Sequence, residues 1–349
     1  MNTKKIIAVI LSMVFCLVIL GGCGSRNGGS ATGTSVGAGD TGRNSDRSGG
    51  KKYSVVCTVF PEYDWAGQIL GERKEEVALT LLLNDGTDLH SYQPTAEDIA
   101  RIAACDLFIY VGGESDEWVE DALKEAVNKN MQVINLMEVV GDSVKEEEVV
   151  EGMQPEEEEE EGEEEPEYDE HVWLSLKNTQ AIVQSIGTAL AKMDEENQNV
   201  YKENTEQYVD KLKALDEKYE SVIKAGIEKT GTHTLLFGDR FPFRYLTDDY
   251  GLDYYAAFVG CSAETEASFE TITFLSGKID ELGLKNIFVI ESSDQKIAET
   301  IVSNTKDKNQ KILVLDSMQS TTSKEVESGV TYLSVMEKNL EVLQQSFGL

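Results

Sequence analysis

Along residues 51–349, short apolar runs of strand length alternate with stretches whose apolar positions recur at helical spacing. Residues 53–60 and 77–83, rich in Val, Leu and Thr, predict two strands, the first closed by Pro61 and followed by a helix carrying Trp65, Ile69 and Leu70. After a loop over 84–94, Thr95-Ala-Glu-Asp98 opens a further helix, because the Thr hydroxyl and the Asp carboxylate can each satisfy the other's backbone N–H. Residues 107–111 and 132–136 predict the third and fourth strands, with Gly112-Gly113 leading into a helix around Trp118 between them. Residues 178–193 then form one helix, and about 195–228 a longer one. In the latter, Tyr201, Tyr208, Leu212, Leu215, Tyr219, Val222 and Ile223 recur at spacings of three, four and seven, one apolar stripe on a rod roughly 45 Å long. Strand-like runs resume at 234–237, 253–258, 286–290 and 311–315, and a last helix runs over about 331–346.

Strands alternating with helices predict an α/β fold of parallel sheets. The long helix divides the alternation in two. The expected architecture is two lobes, each a parallel sheet flanked by helices, joined by one long rigid linking helix. The boundaries are a first lobe over 51–177, a helical segment over 178–229 that includes the linker, and a second lobe over 230–349. A rigid strut of this kind predicts small lobe movements. Open parallel sheets bind ligands at the carboxyl ends of their strands. His90 follows the second strand, and Asp239, Arg240, Glu291 and Asp316 follow strands of the second lobe. A site between the lobes can draw on both sets.

The amino-terminal residues change the picture from a plain globular chain to an exported one. Lys4 and Lys5 precede an apolar run from Ile6 to Leu20 broken only by Ser12, a signal-peptide pattern shorter than the roughly 20 residues of a membrane span. Leu20-Gly21-Gly22-Cys23 resembles the bacterial lipobox, which implies cleavage after residue 22 and a lipid on the Cys23 sulfur. Residues 23–50, mostly Gly, Ser, Thr, Asn and Asp, are a flexible tether. The net charge of −33 is concentrated, with sixteen acidic and no basic residues between 146 and 170. Such a balance excludes nucleic acid as a partner, since that affinity comes from basic groups on phosphates. Outside the targeting segment only Cys57, Cys105 and Cys261 remain, widely spaced and without a Cys-x-x-Cys pair. They leave two readings, one bridge between Cys57 and Cys105 or buried free thiols.

Only three histidines occur in the chain. His90 stands in Asp88-Leu-His90-Ser-Tyr92-Gln-Pro94-Thr95, and His171 in Asp169-Glu-His171-Val-Trp173-Leu174. In this order and spacing the two segments resemble the metal-specific solute-binding proteins of ABC importers, above all the zinc-uptake members, over residues 51–349. Ser262-Ala-Glu264-Thr-Glu266 and Phe288-Val-Ile-Glu291 also resemble segments of that family. The resemblance implies His90 and His171 as the first two metal ligands and Asp316, in Leu313-Val-Leu-Asp316-Ser, as the last. At the third ligand this chain departs from the pattern. Aligning Phe243-Arg-Tyr245 on the family's Phe-x-Tyr places Arg240 where zinc-binding members carry His, and a guanidinium cannot coordinate a cation. Asp239, Glu264, Glu291 or a water is then expected to take that place, with Arg240 paired to one of these carboxylates. His233 lies seven residues too early and is expected to be structural or exposed.

The expected protein is therefore a lipid-anchored extracytoplasmic receptor, a monomer, that binds Zn2+ or alternatively Mn2+ and delivers it to an ABC permease and its ATPase. Two imidazoles with carboxylates suit tetrahedral zinc, and oxygen in place of a third imidazole widens tolerance towards Mn2+. No enzyme is expected, since His-Glu-x-x-His, His-x-His-x-Asp and Gly-x-Ser-x-Gly are all missing. The alternatives are the same fold reading an anionic metal chelate through Arg240, a surface adhesin, or an exported metallohydrolase. The acidic stretch 146–170 is expected to be a disordered loop that gathers cations by charge, or else a solubilising insertion.

Overall fold

The computed structural model describes residues 51–154, 167–262 and 266–349, which fall in one compact unit, Arg47–Leu349. The expected signal peptide, Cys23, the tether, the middle of the acidic stretch and Glu264 lie outside the described residues.

The first lobe runs β1 (Tyr53–Cys57), α1 (Phe60–Leu70), β2 (Val77–Leu81), α2 (Ala96–Ala104), β3 (Leu107–Tyr110), α3 (Trp118–Lys124), β4 (Gln132–Asn135) and α4 (Leu136–Val140). α5 (Leu176–Met193) and α6 (Gln198–Thr230) follow. The second lobe then runs β5 (Thr234–Phe241), α7 (Arg244–Tyr250), β6 (Asp253–Val259), α8 (Phe269–Leu282), β7 (Asn286–Ile290), α9 (Lys296–Asn304), β8 (Lys311–Leu315), α10 (Ser323–Glu327) and α11 (Tyr332–Phe347). Both sheets are wholly parallel, in the orders β2-β1-β3-β4 and β6-β5-β7-β8. The two lobes thus share one topology. In each, the strand order reverses beside the first strand, which opens a crevice at the carboxyl ends. The expected architecture is present.

The first expected strand is shorter than its apolar run. Glu62 is fully buried, and its carboxylate accepts the N–H groups of Thr58 at 2.8 Å and Val59 at 3.2 Å. These bonds turn the chain out of the sheet, so Phe60 and Pro61 begin α1 instead of extending β1. Proline suits the first helical turn, where its missing N–H has no partner to lose. The helix opened by Thr95 has the expected reciprocal cap, Thr95 Oγ1 accepting from Asp98 N and Asp98 Oδ2 from Thr95 N.

The linking helix α6 has 33 residues and ends at Gly231, whose φ of 72° allows its N–H to turn back onto Ile227 O. At 1.5 Å per residue it is roughly 50 Å long. Its buried face carries Tyr201, Tyr208, Leu212, Leu215, Tyr219 and Ile223, while its mean hydropathy is that of a surface helix. No helix among the described residues is long and apolar enough to cross a membrane. α6 packs on α1 of the first lobe and α11 of the second. Asn204 Nδ2 donates to Ile69 O at 2.8 Å and Tyr219 Oη to Met336 O at 2.6 Å, pinning the rod to both. It also lies against α5 so closely that a Cβ on Gly187 would sit 2.1 Å from Thr205 Oγ1.

One hydrophobic core runs from Val55 and Trp65 through Trp173 and Tyr219 to Phe237, Leu315 and Tyr332, crossing from lobe to lobe. A second, smaller cluster holds Leu236, Phe258, Ile279 and Ile287. Trp65 and Tyr332 meet edge to face, 5.1 Å between ring centres, at the crossing.

The buried Glu62 makes a testable contribution. Burial first, and Asp116 second, push its pKa from 4.5 up to about 8, so folding favours its protonated form. Between about pH 4.5 and 8 the unfolded chain is ionised there and the folded chain is not, and stability from this group falls with rising pH by about 1.4 kcal/mol per unit. Glu62→Gln is expected to remove that slope. Urea unfolding at pH 5 and pH 8 checks it, as the stability difference between variant and wild type should shift towards the variant at the higher pH.

Candidate metal site

The carboxyl ends of both sheets converge on His90 and His171. Asp88 caps the short turn after β2, its Oδ1 accepting from His90 N at 3.1 Å. This fixes the backbone of the first histidine. His171 lies just ahead of α5, where Asp169 Oδ1 accepts both its backbone N–H at 2.8 Å and its ring Nδ1–H at 2.9 Å. The two side chains are 7% and 0% exposed.

Each imidazole has an acceptor behind Nδ1. His90 Nδ1 lies 2.8 Å from Ser115 Oγ and 3.4 Å from Glu170 Oε2, and Glu170 is itself anchored by Ser115 N at 2.8 Å. With the proton on Nδ1, both Nε2 lone pairs point into the cleft, and they face each other at 3.1 Å. That is close to the roughly 3.3 Å between two nitrogens bound tetrahedrally to one zinc at about 2.0–2.1 Å. Burial, and next the neighbouring His171, push the His90 pKa down to about 3. A neutral imidazole is the form that ligates a metal. Burial pushes the Glu170 carboxyl up to about 7.

The second lobe meets this pair with a residue the sequence did not single out. Gln319, 3% exposed, places its amide nitrogen 3.0 Å from His90 Nε2 and in hydrogen-bond contact with His171 Nε2 as well. One amide therefore donates to both lone pairs. It is carried there by the turn after β8, in which Met318 has a φ of 62° and Asp316 Oδ1 accepts Met318 N at 2.9 Å. Glu291 braces the same turn, accepting Ser317 N at 2.8 Å and the Ser317 and Ser320 hydroxyls. Trp173 Nε1 donates to Ser317 O at 2.8 Å, tying the turn to the His171 segment.

Among the described residues, His90, His171 and Cys261 are the set of His, Cys, Asp and Glu donors whose ligating atoms all lie within 4.8 Å of one another. Asp316, Asp239 and Glu291 are not in it. Asp316 accepts Met318 N from its own turn, and burial and the neighbouring Glu291 carboxylate push its pKa up to about 7. Asp239 accepts Arg240 N at 2.9 Å, and burial raises its pKa. Glu264 lies outside the described residues. Among the described residues Arg240 forms no ion pair with Asp239 or Glu291, two of the carboxylates expected for it. Its guanidinium crosses the cleft to Asp88 Oδ2, so the residue that caps His90 is also gripped from the opposite lobe. A side chain long enough to span the cleft found the better-placed carboxylate on the far side.

A cavity of about 240 Å3 opens beside His90, lined also by Glu114, Ser115, Glu147, Glu170 and Cys261. Its wall includes the foot of the acidic stretch, where Glu146 and Tyr168 form an antiparallel bridge and Glu147 N donates to Glu167 O at 2.9 Å. His233 stands apart, 52% exposed and 2.8 Å from Asp253. Cys57, Cys105 and Cys261 are all free thiols, so the expected alternative of a Cys57–Cys105 bridge is not formed. Both sulfurs sit buried in the first lobe's core, where thiols pack as small apolar groups.

The family model for ZnuA, described as zinc-uptake complex component A periplasmic, matches residues 55–346. The zinc-binding protein AdcA of Streptococcus pyogenes serotype M6 is 28% identical over 305 residues, covering 84% of this chain and 56% of its own length. The chain therefore spans little more than half of that relative. The high-affinity zinc uptake system protein ZnuA of Bacillus subtilis is 30% identical over 300 residues, covering 85% of this chain and 88% of its own. Among solved structures, the Zn(II)-bound ZnuA-like domain of Streptococcus pneumoniae AdcA aligns with a TM-score of 0.64 at 27% identity, covering 85% of this chain and all of that one. The chain belongs to the ZnuA family, zinc-uptake complex component A.

Proposed function

We propose that this protein is the extracytoplasmic metal receptor of an ABC importer, taking Zn2+ between its lobes through His90 and His171 and passing it to a permease driven by an ATPase. The observation that carries the reading is the pair of Nε2 atoms 3.1 Å apart, each backed by an acceptor at Nδ1. A metal-binding histidine ordinarily has such a partner, which fixes the tautomer and raises the basicity of the ligating nitrogen. The family supports a role in transport rather than catalysis, and its relatives named for zinc support that ion as cargo, with Mn2+ the weaker alternative. Asp316 is the candidate oxygen donor from the second lobe, reached by a shift of the turn that now presents Gln319. Arg240 is neutralised by Asp88, which speaks against a guanidinium turned towards an anionic chelate. The lipobox around Cys23 supports attachment to the outer face of the membrane, with the receptor acting as a monomer.

Competitive titration of the full chain with Zn2+ and Mn2+, beside His90→Ala and His171→Ala, tests this directly. One zinc per chain, bound more tightly than manganese and lost in both variants, is the expected result. Weak multivalent binding indifferent to both substitutions would transfer the metal to the glutamates and sink the receptor reading. Asp169→Asn, which removes the charge behind His171 Nδ1, is expected to weaken zinc by about 10- to 100-fold at unchanged stoichiometry. Calorimetric titration reads both quantities.

A further inference from the structure

The family's third-ligand position carries Arg240, which holds Asp88 and offers no lone pair. The neighbouring strand of the same sheet offers a substitute. β6 ends at Val259, and Gly260 then brings the chain against His171 so closely that a Cβ there would lie 3.0 Å from the ring's Cε1 and 2.9 Å from Phe241 O. Any larger residue would push this segment away from the imidazole. Immediately after it comes Cys261, whose backbone N–H is held by Glu147 Oε1 at 3.2 Å and whose side chain lines the same cavity as His90.

We propose that Cys261 is the third protein ligand of the cargo ion, making a His90–His171–Cys261 set of two neutral nitrogens and one thiolate. This rests on the reading of the two histidines as ligands given above. The three donor atoms already lie within 4.8 Å of one another. With metal–sulfur and metal–nitrogen bonds of about 2.3 and 2.05 Å, tetrahedral geometry sets sulfur and nitrogen roughly 3.5 Å apart. The thiol has on the order of 1 Å to travel, next to an open cavity. On binding, a metal–sulfur bond forms and the S–H bond breaks, its proton leaving to water through that cavity. The chemical class of ligand follows from the sulfur. A thiolate favours borderline and soft divalent ions such as Zn2+ and Cd2+ over the oxygen-seeking Mn2+. The chain thus replaces the family's third imidazole by a residue from another strand and gains selectivity by the exchange. The fourth place is left to an oxygen, from Asp316, from the Gln319 amide or from water.

Co2+ reports sulfur coordination through a thiolate-to-cobalt charge-transfer band in the near ultraviolet. The full chain loaded with one Co2+ is expected to show that band. Cys261→Ser is expected to bind Co2+ one to one without it, and its preference for Zn2+ over Mn2+ should fall about tenfold or more. One-to-one binding, lost in His90→Ala and His171→Ala, with no charge-transfer band in the wild-type chain would overturn the role of Cys261 and leave the receptor reading standing. No stoichiometric, histidine-dependent Co2+ binding at all would overturn both. The wild-type spectrum decides the matter even where Cys261→Ser fails to fold.

Discussion

The cleft is held in shape by the hydrogen bond from Trp173 Nε1 to Ser317 O, at 2.8 Å, deep between the lobes. Trp173 is two residues past His171, and Ser317 two before Gln319, so this bond sets the spacing between the second histidine and the turn that faces it. It does not act alone. Tyr332 Oη donates to Trp173 O at 2.7 Å, and Asp64 Oδ2 accepts Tyr332 N at 2.9 Å, which carries the tie back to α1. All of these groups are buried in the core that both lobes share. The net gain from each bond is about 1 kcal/mol, but a buried N–H left without its acceptor costs about 1–3 kcal/mol. Registry is enforced by that penalty more than by the gain.

Around this fixed frame the electrostatics lean one way. Glu170 and Asp316 are carboxyls that burial raises to about 7, and Arg240, which lines the neighbouring cavity, is already neutralised by Asp88. Buried carboxyls held towards their neutral form are groups that an incoming cation returns to the ionised one, since an opposite charge within a few ångströms favours it. His90, kept neutral by its burial, adds no repulsion. The site is thus short of positive charge, which suits the divalent ion proposed for it.

Much of this was legible in the chain. Strand-length apolar runs alternating with helical stripes gave both sheets, and the stripe over Tyr201, Tyr208 and Tyr219 gave the linking helix, because both signals are periodic and local. The two histidines stood out through their contexts. What escaped was set by contacts distant in sequence. Arg240 was matched to the acids nearest it on its own lobe, while its partner Asp88 lies 152 positions away. Gln319 has an uncharged amide and belongs to no usual ligand class, and its placement depends on a left-handed Met318 that no pattern announces. Cys261 looked like one more buried thiol until β6 brought it beside the histidines; the only trace was the glycine before it. The β1 run was overextended because a buried glutamate, Glu62, and not an apolar break, ends the strand.

The Gln319 amide has a consequence for how the ion comes and goes. Its nitrogen contacts both imidazoles, so on the function proposed above capture is an exchange and not an addition. The Gln319 amide is thus the protein's own competitor for the two Nε2 lone pairs. Affinity is then a difference between two bound states. A push on the 317–319 turn from outside, such as docking against another protein, would act on the competitor and not on the ion. On that reading, release is the return of the Gln319 amide to its seat against the two imidazoles, and the 317–319 turn carries the means of expelling the ion.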